Sequence, residues 1–167
     1  SQPKNDAWEN DNSSKTVTLD GRPITLQKQM IGARYEGLPI AKNATVLDAQ
    51  IILTPDNTVA SPSHTLNVAV ENTDNSVAFL ANGGNLTARS KTANRACTIN
   101  STSGWTAGEP YLCSPASLAS DIQGIFAKSN WAPGNSLGLL LTPAADSSLD
   151  IRSFESSPAE SIRLRMK

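Results

Sequence analysis

A period-two apolar pattern recurs along the chain and is cut by turn residues every 8–14 positions. HTLNVAVE (64–71) is its cleanest instance: Leu66, Val68 and Val70 fall on one side, Asn67, Ala69 and Glu71 on the other. Successive side chains of a strand point to opposite faces, so such a segment fits a half-buried sheet and little else. SIRLRM (161–166) sets Ile162, Leu164 and Met166 against Ser161, Arg163 and Arg165, and KTVTLD (15–20) places Val17 and Leu19 together. ATVLDAQIILT (44–54), LGLLLT (137–142) and SLDIRSFE (148–155) read as further strands, and VAFL (77–80) as a short apolar run. Gly21, Arg22 and Pro23 separate KTVTLD from ITLQKQMIGARYE (24–36). There the adjacent Met30 and Ile31 spoil a simple pleat, and a bulge near Gly32 is expected. Residues 85–113 read as irregular.

One stretch has the helical period. Leu118, Ile122, Ile125 and Phe126 form a single stripe. Ser114 suits the cap and Pro115 the first turn, which predicts a helix over 115–128. Trp131 follows it and reads as a core or cap residue. No βαβ alternation occurs. The expectation is an all-β, two-sheet antiparallel sandwich of jelly-roll type with one short helix. Residues 1–14 are expected to be an extended N-terminal arm, and 15–167 one sandwich domain.

Composition narrows the setting. Fourteen basic residues against fifteen acidic ones give a net charge of −1, which excludes a nucleic-acid footprint over the whole chain. No apolar run reaches the roughly 20 residues of a membrane span. Ser, Thr and Asn supply 48 of the 167 residues, so the surface is rich in short hydrogen-bonding groups. Cys97 and Cys113 bracket a polar, Gly-containing segment and are expected to form a disulfide, which points to an oxidising, extracellular or cell-surface location. The first residues hold no Met, charged region or apolar region, so a secretory leader is expected to be absent or already removed.

Little of the chain suits catalysis. His64 is the single His, no nucleophile elbow or phosphate loop is present, and no carboxylate-rich cleft is marked. Oxygen ligands gather around Asp6, Glu9 and Asp11, where a structural calcium would tie down the arm; turn residues bonding their own backbone are the alternative. Trp8, Tyr35, Trp105 and Tyr111 are the residues available for stacking on a sugar, Trp8 first among them.

The segment IGARYEGLPIAKNATVLDAQIILTPDN (31–57) resembles a pattern of bacterial extracellular modules related to jelly-roll carbohydrate-binding and DNRLRE-type domains. The likeness continues through LNVAVENTDNSVAF (66–79) and NLTARSKT (85–92) to LASDIQGIFAKSNWAPGNSLGLLLT (118–142), covering about 25–166. Leu38-Pro39 stands for the usual Ile-Pro, Lys42-Asn43 for Gly-Ala, and the cysteine pair is not general to the group. The resemblance implies export, a jelly-roll sandwich and a non-catalytic role beside neighbouring domains, and it carries over no ligand residue. The expected function is therefore adhesion to a glycan or protein surface. A structural block or spacer of a surface filament or multidomain protein is the alternative.

Overall fold

A computed structural model describes residues 5–19, 23–60, 63–101, 103–154 and 156–167. Residues 1–4 of the expected arm, the break at Gly21 and Arg22, and the Glu155 end of the expected 148–155 strand lie outside these.

The chain is an all-β antiparallel sandwich with one short helix. One layer has six strands: β1 (Asp6–Asn10), β2 (Val17–Thr18), β4 (Gln29–Tyr35), β6 (Ser63–Val70), β7 (Arg95–Asn100) and β9 (Leu137–Pro143), in the order β2-β1-β4-β9-β6-β7. A three-stranded sheet, β11-β5-β8, combines β5 (Ala49–Leu53), β8 (Tyr111–Cys113) and β11 (Arg163–Met166). A small pair joins β3 (Ile24–Thr25) to β10 (Asp150–Ile151), and a Pro55–Ile151 bridge ties it to the end of β5. Ile31, Leu66, Val68, Val70, Leu139 and Leu141 of the large sheet bury against Ile51, Leu53 and Ile151.

The helix α1 (Leu118–Phe126) buries Leu118, Ile122, Ile125 and Phe126, the stripe read from the sequence. It is shorter than expected at both ends. Cys113 is still in β8, so residues 114–117 are consumed in turning the chain. Ser117 stands at the cap in the left-handed region (φ 67°) and makes no side-chain cap bond. Arg95 of β7 holds the helix by two bonds to Asp121, at 2.6 and 2.8 Å. Trp131 is buried, stacks on Phe126 at 4.6 Å and donates to the Ile40 carbonyl.

Two other expectations change. Asp6–Asn10 does not hang free: β1 is an interior strand of the large sheet, paired with β4 over five residues and with β2 on its other edge. The 24–36 run is two strands in different sheets, and β4 runs through Gly32 in register with both neighbours, without a bulge. Met30 and Ile31 are both apolar because each faces a different core. Ile31 enters the main core, while Met30 packs against a second cluster of Ala7, Val17, Phe79, Leu86 and Leu140 on the outer side of the same sheet.

Cys97 and Cys113 are paired, with Cα atoms 5.7 Å apart. They join β7, an edge of the large sheet, to β8, an edge of the facing one, so the bond clamps the two layers. The closed loop spans a separation of 16 residues, for which chain entropy gives about 3 kcal/mol. Replacing both cysteines by Ser should lower Tm by roughly 6–12 °C for a chain of this size. Calorimetry of the two proteins checks this, and equal melting temperatures would refute the clamp.

Candidate binding face

The outer side of the large sheet is built in rows, because paired residues share a face. The middle row runs Ala7–Gly32–Leu140, and the segment 72–92 crosses it as a strap. Phe79 of the strap lies on Gly32 so closely that a Cβ there would meet the ring at 2.6 Å. A second row runs Arg34–Gly138 and reaches Glu71 just past β6, where the Glu71 amide donates to the Gly138 carbonyl. A Cβ at Gly138 would come within 2.5 Å of the Glu71 carboxylate. These two glycines make the hollows that the strap and its anchor occupy.

The anchor is a buried ion pair. The Arg89 guanidinium reaches both carboxylate oxygens of Glu71, at 3.1 and 3.0 Å. Its remaining N–H groups go to the carbonyls of Val77, Ala78 and Asn85 and to the Asn85 side chain. The group also lies 4.5 Å over the Phe79 ring. Ser76 adds a hydroxyl donated to Glu71 at 2.6 Å. All the donor positions of the planar group are thus used, which a Lys could not reproduce.

The third row lies beside the strap and is open. Glu9 pairs with Met30; Thr142, one step beyond the Ile31–Leu141 pair, continues the row to Asn67, and Asn67 faces Ala96. Glu9, Met30, Thr142 and Asn67, with Thr87 from the strap, line a groove of about 330 Å³. Glu9 is only 1 % exposed. Its Oε2 accepts the Leu86 and Thr87 amides at 2.7 and 3.2 Å, whereas its Oε1 has no hydrogen-bond partner among the described residues.

The three carboxylates expected at a calcium site are therefore not brought together, although Glu9 and Asp11 both line this groove. Asp6 and Glu9 leave β1 on opposite faces. Asp6 accepts the Phe154 amide at 2.6 Å, and Asp11 lies at the surface on Lys15 at 2.8 Å, a bond that holds its carboxyl below the usual range. Among the described residues no three His, Cys, Asp or Glu side chains stand together as a metal site.

The aromatic expectations change as well. Trp105 is 1 % exposed and packs between His64 at 5.0 Å and Tyr111 at 4.4 Å, so it has no face to offer a sugar. Tyr111 is half-buried on Trp105, and its hydroxyl accepts the Thr106 amide. Trp8 lies on the inner side of β1 against the main core, and Tyr35 lies partly buried against the same core. The Tyr35 hydroxyl donates to the Ile162 carbonyl, and burial, with Asp6 nearby, pushes its pKa far up. Asp6 and Tyr35 do share one pocket of about 380 Å³, with Arg34, Glu36, Phe154 and Arg163. His64 is held below its ordinary pKa by burial and lies 3.5 Å from the Ser147 hydroxyl.

The groove residues Met30, Asn67, Thr87 and Thr142 were not singled out by sequence reasoning. Asn67 had a signal: it is an outward position of the cleanest alternating strand. Thr87 had none, since nothing in NLTARSKT marks a strap over a sheet.

Arg89→Met should cost about 3–5 kcal/mol, because it leaves the Glu71 charge buried alone. Adding Glu71→Met should recover part of that loss. Urea unfolding of the three proteins checks this, and a double variant that falls further by a second full increment would show the pair uncoupled. Comparison of the sequence with protein-family models found no match, and comparison with curated proteins found none either.

Proposed function

We propose that this chain is a non-catalytic sandwich module of an extracellular surface, used for adhesion to a glycan-bearing partner. The observation that carries the reading is the division of labour among its polar groups. The strongly charged ones are used in structure: Glu71 on Arg89, Asp121 on Arg95, Asp6 on the Phe154 amide. The open row of Asn67, Thr142 and Thr87 is left for solvent or a ligand. Such a face has short donors and acceptors and no strong field to steer a charged partner, which suits polar neutral surfaces. The disulfide between the layers fits an oxidising compartment. No helix among the described residues is long and apolar enough to cross a membrane. The resemblance of residues 25–166 to exported jelly-roll modules belongs to the same reading.

Beads coated with the whole chain should adhere to a glycoprotein-coated surface and release when the surface is enzymatically deglycosylated. Equal adhesion after deglycosylation would redirect the reading to a protein partner. Absence of adhesion together with concentration-dependent self-association in ultracentrifugation would replace it with a structural block of a filament.

A further inference from the structure

We infer that the groove over β1, β4, β9 and β6 is a saccharide site in which the free oxygen of Glu9 accepts a ligand hydroxyl. This deepens the adhesion reading and rests on it.

Glu9 is the reason to place a ligand here. A carboxylate that is 1 % exposed, with one oxygen bonded to two strap amides and the other to nothing among the described residues, is an acceptor short of a donor. Buried polar atoms are nearly always satisfied, and an unmatched one marks a place where something else belongs. The groove beside it holds about 330 Å³, at the lower end of the ~300–1,000 Å³ of small-ligand pockets. Its lining decides the class of ligand. Glu9 and Asp11 are balanced by Lys15 and Lys28, and Asp11 is already on Lys15, so no net charge selects an ion. Asn67 and Thr142 offer an amide and a hydroxyl that bond no other side chain among the described residues, while Met30 and Pro143 supply apolar surface. A pyranose has the matching pattern: equatorial hydroxyls around a ring with apolar C–H patches. An amine or metal cation would have no reason to need the amide row or the Met30 surface.

The strap connects the site to the fold. The same carboxylate that would take the ligand hydroxyl holds the Leu86 and Thr87 amides, so the ligand position is fixed by backbone rather than by a loose side chain. Glu9→Gln is the informative change. Its amide oxygen can keep both strap bonds, while its NH₂ replaces the free acceptor with a donor.

The test is titration of the whole ¹⁵N-labelled chain with neutral hexose oligosaccharides, followed by amide shifts. We expect saturable shifts at Asn67, Thr87 and Thr142. Glu9→Gln and Asn67→Ala should each weaken binding about tenfold, as expected for losing one hydrogen bond to a charged or amide group. Asn100→Ala, on the outer edge strand, should leave it unchanged. Retained amide spectra confirm that the variants fold. Sugar-induced shifts that map elsewhere, or that survive Glu9→Gln at full affinity, overturn the site while leaving the adhesion reading in place. No saturable shift with any of the oligosaccharides at millimolar concentration also overturns the site, and the bead assay then judges the adhesion reading by itself.

Discussion

The Arg89 guanidinium organises the outer half of this molecule. A sheet of six strands has two faces, and only one can be covered by the smaller sheets across the main core. The other face would leave Ala7 and Leu140 in water. The strap closes it, but residues 77–88 have neither strand nor helix to satisfy their own carbonyls. Arg89 supplies those bonds from a single planar group and anchors them on Glu71. A buried ion pair is rarely the most stabilising choice, since apolar replacements often do as well. What this pair specifies is position. It sets where Phe79 lands, and Phe79 can land only where Gly32 leaves a hollow.

That arrangement explains features that look unrelated in sequence. Gly32 and Gly138 lie on neighbouring strands of one sheet and serve one purpose, close approach of the strap and of Glu71. Glu9 is buried because its carboxylate takes two strap amides. The open row of Met30, Thr142 and Asn67 exists because the strap stops short of it. On the far side of the molecule a covalent bond does the comparable work. Cys97 and Cys113 hold two sheet edges together where β8 has only three residues to pair.

Much of the sandwich was legible. Strands run through 64–70, 137–142 and 163–166; Leu66, Val68 and Val70 bury as the alternation assigned, Leu164 and Met166 pack on the same core, and the helical stripe buries the four residues it named. Other elements were not. β7 reads as irregular because its outward positions, Ala96, Thr98 and Asn100, are exposed and weakly patterned; the alternation of Arg95, Cys97 and Ile99 is the signal available. The polar neighbours of Trp8 make it read as a residue of a free arm. Those neighbours are polar for reasons that only tertiary structure reveals: Asp6 bonds a distant amide and Glu9 supports the strap. The VAFL run illustrates the same limit. Phe79 is buried, while Val77 and Leu80 are exposed, since a strap presents one side to the sheet without a fixed period.

The Arg89–Glu71 pair fixes the strap, and the strap is a unit distinct from the sandwich below it. Hydrogen exchange of Arg89→Met under native conditions tests this most directly. The Leu86, Thr87 and Ala88 amides should lose protection by orders of magnitude relative to wild type, while Val68 and Leu139–Leu141 keep most of theirs. Unchanged protection at Leu86 and Thr87, or an even loss across the strap and the central strands alike, would contradict it.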